Sequence, residues 1–283
     1  MFLDFLFKNK KDNINNNMKE TPIPVKKTNN ATTKKKDDRT AVRKGELGEY
    51  KIDIQLSQLS KDYMYLSDLL IKNPKSSTGY SQIDHIIITP YGLFVIETKN
   101  YQGTIYGGKN KKTWLINGKF KMMNPLMQNY GHIQALKNFI EDKYQQYFIS
   151  LVSFTKRCTF KIEEELRKIT SNELVIYDIE LTQFINRKVA ILKLQYKNPI
   201  FIKNEIETIY NALLNANITD AVIRKQHIDI IKEKKNITEK KEMENKCIVC
   251  QKPVSDKVKS FCLSNKKFQG KIYCYEHQKG FLK

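Results

Sequence analysis

Residues 81–101 read SQIDHIIITPYGLFVIETKNY and contain the two strongest strand candidates of the chain. The runs IDHIIIT and LFVIETK are rich in β-branched residues and flank a Pro-Tyr-Gly turn, a pattern that predicts an antiparallel hairpin. Both runs are apolar enough for a protein core. The first nevertheless carries Asp84 near its start, and the second ends with Glu97 and Lys99.

The length of the loop decides how these charges face each other. A two-residue loop at Tyr91 and Gly92 would place Asp84 opposite Lys99, whereas a four-residue loop over 89–92 would place Asp84 opposite Glu97. Directly opposed residues share a face, and side chains alternate with a period of two along each strand. Both even loops therefore predict two carboxylates and an ammonium on one face. An odd loop or a bulge would separate them.

Two buried carboxylates repel each other unless a cation lies between them, and one lysine neutralises only one of the two charges. A divalent cation would neutralise the pair, and hard oxygen ligands suit Mg²⁺ or Mn²⁺. The alternative is a structural ion pair near the end of a sheet. Geometry alone favours neither interpretation.

The spacing D-x12-E-x-K, with apolar strands and a turn between, resembles the PD-(D/E)xK nuclease superfamily. The resemblance implies that Asp84 and Glu97 hold the catalytic metal and that Lys99 assists the attacking water. The succession GELGE, QIDHIIITPYGLFVIETKNYQGTIYG, a tryptophan and NPLMQN is similar to the nuclease-related domain (NERD) family over 41–155. The family implies a restriction-endonuclease-like α/β fold, with a mixed sheet flanked by helices, and a role in DNA processing.

The same resemblance assigns further residues. Glu49 matches an additional metal or water ligand on the first helix, and Gln128 matches a glutamine that some related nucleases place near the site. Glu46 lies on nearly the same helix face as Glu49, so the choice between them stays open, with a solvated helix face as the alternative for either. His132 shares the face of Gln128 but is interpreted as a surface or satisfied histidine, and His85 is expected on the opposite face of the sheet.

Two other residues match the family pattern, Trp114 and Asn124. For Trp114 the favoured interpretation is packing, with base stacking as the alternative.

The C-terminal segment has the spacing of a metal site. CIVC at 247–250 and CYEH at 274–277 give C-x2-C-x23-C-x2-H, which predicts a structural Zn²⁺ held by Cys247, Cys250, Cys274 and His277 with no open position for catalysis. A strand predicted at GKIY makes the segment resemble a treble-clef or zinc-ribbon finger. Cys262 is either a spare ligand or a buried thiol, and the thiol is favoured.

The chain divides into four predicted parts. Residues 1–40 form a basic, disordered tail. Residues 41–215 form the nuclease-related domain, with its core at 41–155, a helix over 124–144 and a C-terminal α/β extension. Residues 216–245 form a charged helical linker, and residues 246–283 form the zinc finger.

The formal net charge of +20 favours a polyanionic partner such as DNA, although a Lys-, Asn- and Ile-rich composition also reflects AT-rich coding. Five cysteines without a secretory signal argue against a disulfide framework and for a reducing cytoplasm. No apolar run reaches the roughly 20 residues of a membrane span, so no membrane contact is expected. The sequence carries no signal for an oligomeric state.

Three functions fit these features. The first is a Mg²⁺- or Mn²⁺-dependent nuclease acting on DNA, in processing, repair or mobile-element maintenance. The second is a catalytically weak DNA-binding or protein-recruiting module on a nuclease fold. The third is an interaction scaffold that binds a protein through the N-terminal tail or the zinc finger. The intact set of Asp84, Glu97 and Lys99 favours the first, because drift after loss of catalysis would be expected to erase one of them.

Overall fold

The computed structural model describes residues 47–281, without the side chains of residues 238–244. The strands are β1 (Met64–Lys72), β2 (Tyr80–Thr89), β3 (Gly92–Lys99), β4 (Gly103–Tyr106), β5 (Thr113–Ile116), β6 (Phe120–Met123), β7 (Phe148–Phe154), β8 (Cys158–Lys161) and β9 (Glu173–Tyr177). The helices are α1 (47–56), α2 (Pro125–Leu136), α3 (Leu181–Gln195), α4 (Lys203–Ala216), α5 (Ala221–Glu244), α6 (Asp256–Ser264) and α7 (Tyr275–Gln278). The predicted mixed α/β class with flanking helices is confirmed, while the N-terminal tail lies outside the described residues.

The larger sheet has the strand order β1-β2-β3-β7-β9. Its first three strands are antiparallel neighbours, and β7 and β9 extend it in parallel. The parallel step from β3 to β7 needs a crossover, which here contains α2. Strand β3 is central, and its residues 92–97 are buried, as expected for a strand covered on both faces.

Helices cover both faces of this sheet, and alternation along β2 and β3 decides which side chain meets which helix. Ile86 and Val95 pack with α2 and α4 in one core, while Ile87 and Phe94 pack with α1 and α3 in the other. All four side chains are fully buried, and each contributes about 1.5–3 kcal/mol by leaving water. Glu97 shares the parity of Val95, so it faces α2.

A second sheet has the strand order β6-β5-β4-β8. Trp114 of β5 is fully buried and stacks on Phe154 of β7, with ring centroids 6.2 Å apart. Its indole N–H donates to the carbonyl of Gly108 at 3.0 Å, and a Cβ at Gly107 would lie 2.2 Å from the ring. Trp114 thus joins the two sheets, in agreement with the packing interpretation.

The sequence predicts β4 and β5 of the second sheet but neither β6 nor β8. All four strands of this sheet have only four residues, too few to show a period of two. Strands β4 and β5 are predicted because glycine turns follow them in GTIYGG and KTWLING, whereas no glycine follows β6 or β8. The pairing with β5 and β4 forms them.

The helix predicted over 124–144 is shorter than expected and ends at Leu136. Gln145 Nε2 donates to the carbonyls of Lys137 at 3.1 Å and Ile140 at 3.2 Å. A continuing helix would bond these carbonyls with its own N–H groups. The chain instead forms 3₁₀ turns that lead into β7.

Asn124 fixes the start of α2 to the loop between β4 and β5. Its Oδ1 accepts a hydrogen bond from the N–H of Leu126 at 2.9 Å, as an N-cap does. Its Nδ2 donates to the carbonyls of Lys109 at 3.0 Å and Lys111 at 2.8 Å. Pro125 takes the first helical position, where its missing N–H is not needed.

We expect Asn124→Ala to lower the free energy of unfolding by about 2–4 kcal/mol, since it removes a cap and leaves two loop carbonyls without their donor. Denaturant unfolding monitored by circular dichroism measures this loss. Asn204→Ala, at an exposed position of α4, is the matched control and should change little. A loss of less than about 1 kcal/mol for Asn124→Ala would contradict this role.

Candidate active site

The charged residues of the hairpin lie where the ladder between β2 and β3 ends. Ile88 pairs with Leu93, and the ladder ends at the pair of His85 and Ile96. This is the register of the four-residue alternative, although Thr89 also pairs with Gly92 and shortens the loop to Pro90 and Tyr91. One step beyond the ladder, this register sets Asp84 opposite Glu97.

Glu97 is the most deeply buried of the charged groups, with 2% of its surface exposed. Its Oε1 accepts from Lys99 Nζ at 2.5 Å and from Gln128 Nε2 at 2.6 Å. Its Oε2 lies 3.1 Å from His132 Nε2, and Lys99 Nζ also donates to Gln128 Oε1 at 3.0 Å. Two residues of β3 and two of α2 therefore form one hydrogen-bonded cluster.

The cluster keeps Glu97 and Lys99 charged. Burial alone would raise the pKa of Glu97, but the Lys99 ammonium and the bond with His132 hold it below its usual value. Burial alone would lower the pKa of Lys99, but the charge of Glu97 and its hydrogen bond hold it above the usual value. Near neutral pH the pair is an ammonium beside a carboxylate.

Asp84 has the opposite tendency. Its Oδ2 accepts from the N–H of Thr98 at 2.7 Å and from Thr98 Oγ1 at 2.5 Å. Burial, and then the negative charge of Glu97, raise the pKa of Asp84 to about 7 despite these bonds, and Glu49 adds to the rise. When Asp84 is ionised, its carboxylate and that of Glu97 carry two negative charges beside the one positive charge of Lys99.

This donor set fits a hard divalent cation. The described residues bond Asp84 only at Oδ2, which leaves Oδ1 for a ligand. Glu97 accepts three hydrogen bonds, and a carboxylate offers about four acceptor positions. Carboxylate oxygens are the ligands that Mg²⁺ and Mn²⁺ prefer, so the nuclease-like fold and these residues are suited to a divalent metal.

Two clefts border the cluster. The larger cleft has a volume of about 1000 Å³ and is lined by Asp84, Gln128, His132 and Glu49 among others. The smaller cleft, of about 160 Å³, is lined by Glu49, Lys99, Ser153 and Arg157 among others. Because Glu49 lines both, it lies within the region where the structure brings the hairpin charges together.

The smaller cleft also has an unsatisfied polar group. Ser153 is 2% exposed, and its Oγ has no hydrogen-bond partner in the described part of the chain. At the rim, Arg157 donates to Asn100 Oδ1 at 2.5 Å. Hydroxyl and guanidinium donors of this kind suit a phosphate oxygen.

Most of the residues predicted for the site lie together in the structure. Two further residues, Thr98 and His132, also lie there and were not assigned to the site from the sequence. Thr98 follows Glu97 in β3, so alternation alone would turn its side chain to the other face. Its N–H and its hydroxyl nevertheless both donate to Asp84 Oδ2. His132, interpreted as a surface or satisfied histidine, bonds Glu97 inside the site. Its spacing of four residues from Gln128 was the signal for it. Glu46 lies outside the described residues.

His85 points away from the cluster, as alternation predicts. It is 2% exposed, and its Nδ1 lies 2.9 Å from Ser67 Oγ, which donates to Asp53 Oδ1 at 2.7 Å. The hydroxyl has a single proton, so His85 Nδ1 must be the donor to Ser67. Burial lowers the pKa of His85 to about 4, which keeps it neutral.

The C-terminal cysteines and histidine form a second site. The ligand atoms of Cys247, Cys250, Cys274 and His277 all lie within 4.8 Å of one another. The Sγ atoms of Cys250 and Cys274 are 3.7 Å apart, close to the edge of about 3.8 Å that a tetrahedron with Zn–S bonds of about 2.3 Å requires. This Cys₃His cluster could bind zinc through thiolates and His277 Nδ1.

Cys262 lies outside this group. It is fully buried, and its Sγ accepts from the N–H of Tyr273 at 3.4 Å and from Gln278 Nε2 at 3.2 Å. The GKIY segment, residues 270–273, does not form the predicted strand. It bonds the CIVC segment through the N–H of Ile248, which donates to the carbonyl of Ile272 at 2.8 Å. One such bond does not make a ladder.

Comparison with known proteins identifies part of the chain. Residues 44–155 match the family profile of the nuclease-related domain, NERD. An uncharacterized protein of Bacillus anthracis is 33% identical over 195 residues, which cover 68% of this chain and 85% of that relative. No solved structure matches significantly. None of the described helices has the length and apolar content needed to cross a membrane.

We expect Asp84→Asn to stabilise the protein at neutral and higher pH. The folded-state pKa of Asp84, about 7, lies above its ordinary value of 3.8. The folded state therefore binds the proton more tightly, and stability falls as the pH rises from about 4 to about 7. Asparagine removes this penalty and should raise the free energy of unfolding at pH 8 by about 1–3 kcal/mol.

Unfolding at several pH values without added Mg²⁺ or Mn²⁺ tests this, with the exposed Asp62→Asn as control. Equal pH profiles for the wild type and Asp84→Asn would contradict it.

We also expect purified protein to contain about one zinc ion per chain. Atomic absorption should show that Cys250→Ser lowers the zinc content to near background. Cys158→Ala, a change at a thiol far from the cluster in sequence and buried beside Trp114 and Phe154, should keep it. Full zinc content in Cys250→Ser would exclude the four-ligand site.

Proposed function

The chain belongs to the nuclease-related domain family, and we propose that it is a metal-dependent nuclease that hydrolyses DNA phosphodiester bonds. Asp84, Glu97, Lys99, Glu49 and Gln128 are the proposed catalytic residues. The observation that best supports the proposal is the buried, unbalanced carboxylate. Burial and the charge of Glu97 raise the pKa of Asp84 to about 7, and a divalent cation between the two carboxylates would offset their repulsion.

Asp84 and Glu97 are the proposed ligands of Mg²⁺ or Mn²⁺, with Glu49 as a third acidic group beside them. When bound, such a metal would neutralise charge on the scissile phosphate and lower the pKa of a water molecule. Asp84 would lose its proton on metal binding, since ligands must be deprotonated. Thr98 orients its carboxylate through two hydrogen bonds to one oxygen.

Lys99 acts as a charged donor in this proposal. Its pKa is held above the usual value by Glu97, so it orients the attacking water or stabilises the charge that develops on the phosphate, as cationic groups do in phosphoryl transfer. Gln128 contacts both Lys99 and Glu97, and His132 holds the other oxygen of Glu97. Both residues of α2 keep the pair in position.

Several positive groups could contact the DNA backbone. Lys51 and Arg157 line the smaller cleft, and the net charge of the whole chain is +20. Lysine and arginine contacts to phosphates strengthen binding without reading the base sequence. The proposed zinc finger adds further lysines, and its thiol ligands suit a reducing cytoplasm.

The test is cleavage of labelled linear, circular and branched DNA with Mg²⁺, with Mn²⁺ and without either ion. We expect metal-dependent cutting that falls by about 100-fold or more in Asp84→Ala and in Lys99→Ala, as when other groups that stabilise transition-state charge are removed. Asp62→Ala and Lys119→Ala, both at exposed positions, are the matched controls and should cut normally.

If cutting persists in Asp84→Ala, the residue assignment fails. If the wild type does not cut with either metal but still binds DNA, a binding role on a nuclease fold replaces the proposal.

A further inference from the structure

The larger cleft has two chemically different walls. One wall is the segment that leaves β1 and enters β2, where Lys72 and Lys75 line the cleft. Both lysines are exposed, and neither forms an ion pair with any residue that the structure describes. The other wall is formed by Met123, the last residue of β6, and by α2, and Met123 and Met127 are 58% and 50% exposed.

Gly131 lies on the α2 wall and has no structural reason to be glycine. It stands inside a helix, does not have a positive φ, and a Cβ built on it would meet no atom within 4 Å. Glycine in a helix interior is less favourable than alanine by about 1 kcal/mol. Its neighbours on the wall of the cleft include Gln128 and His132, the two residues that hold Glu97. A side chain at this position would project into the cleft beside the catalytic cluster.

The two walls together match an unpaired strand. Lysines on one side suit the phosphates, while soft, adaptable methionine side chains on the other suit the faces of bases. In a duplex the bases are paired and stacked inside, so an apolar wall would find no base face to contact. The cleft opens on Asp84, so a strand lying in it would reach the carboxylates directly.

We propose that the larger cleft holds a single-stranded segment of the nucleic acid, and that Gly131 is the gap through which the strand passes α2 to reach the active site. This inference rests on the proposed nuclease function and names its substrate class. Gly131 would then determine whether the strand can reach the active site. The small loss of helix stability is the consequence of having glycine at this position.

The test measures binding and stability together, without added Mg²⁺ or Mn²⁺. The probes are fluorescein-labelled oligothymidylate and the same strand annealed to its complement, followed by fluorescence anisotropy. We expect the wild type to bind the single strand about tenfold more tightly than the duplex, a difference of about 1.4 kcal/mol. Gly131→Leu should weaken single-strand binding by about tenfold or more.

Thermal unfolding separates a blocked cleft from a damaged fold. Gly131→Ala should raise Tm by about 2–4 °C, because alanine favours the helix, and Gly131→Leu should not lower it. Tyr130→Leu is the matched control, since it places the same leucine one residue earlier at a 60% exposed position that does not line the cleft. This control should bind like the wild type.

Unchanged binding by Gly131→Leu would overturn the role of the cleft, and equal affinity for single strand and duplex would overturn the substrate class. Both results are independent of cleavage. If the wild type cuts DNA and Gly131→Leu still binds the single strand normally, the proposed function stands and this inference fails. A chain that never cuts but shows the expected binding keeps the inference as a single-strand binding site.

Discussion

The rest of the site depends on the buried carboxylate of Glu97, which needs hydrogen-bond partners from both β3 and α2. Taking a carboxylate out of water costs several kcal/mol, and the cost is recovered only when its oxygens are well bonded. Lys99 comes from the same strand, but Gln128 and His132 come from α2. The charge is therefore tolerable only if α2 lies at a fixed distance and rotation against β3.

Two buried asparagines supply that constraint. Asn124 ties the first turn of α2 to the β4–β5 loop. Asn129, one residue after Gln128, donates to the carbonyl of Val95 at 2.8 Å and to Ser150 Oγ at 2.9 Å. Directional bonds fix rotation in a way that apolar packing does not. The second sheet is thus part of the site, because it holds the loop to which Asn124 is bonded.

The sequence predicts the part of this arrangement that depends on local periodicity. Alternation along two adjacent strands is enough to place Asp84, Glu97 and Lys99 together, since an even loop of either length preserves the face. Thr98 could not be found in this way, because its contact with Asp84 involves a backbone N–H beyond the end of the ladder. Strand β8 is not predicted for a related reason: it forms by pairing with β4, which is distant in sequence. Strand β6 forms a hairpin with its neighbour β5, which the residues FKMM do not themselves signal.

Three features of the site work against folding stability, and all of them line the two clefts. Asp84 is a carboxyl whose pKa is raised by burial, Gly131 weakens a helix without a packing reason, and Ser153 has a buried hydroxyl without a partner in the described chain. Buried polar atoms without a partner in the described chain also occur at His85 Nε2, Asn129 Oδ1 and Asn245 Oδ1. Local costs of this kind persist where another interaction compensates for them. A cation beside Asp84 and a phosphate oxygen at Ser153 would each relieve one of these costs, and Gly131 would leave room for the strand, so all three features have a use in the clefts that border Glu97 and Lys99.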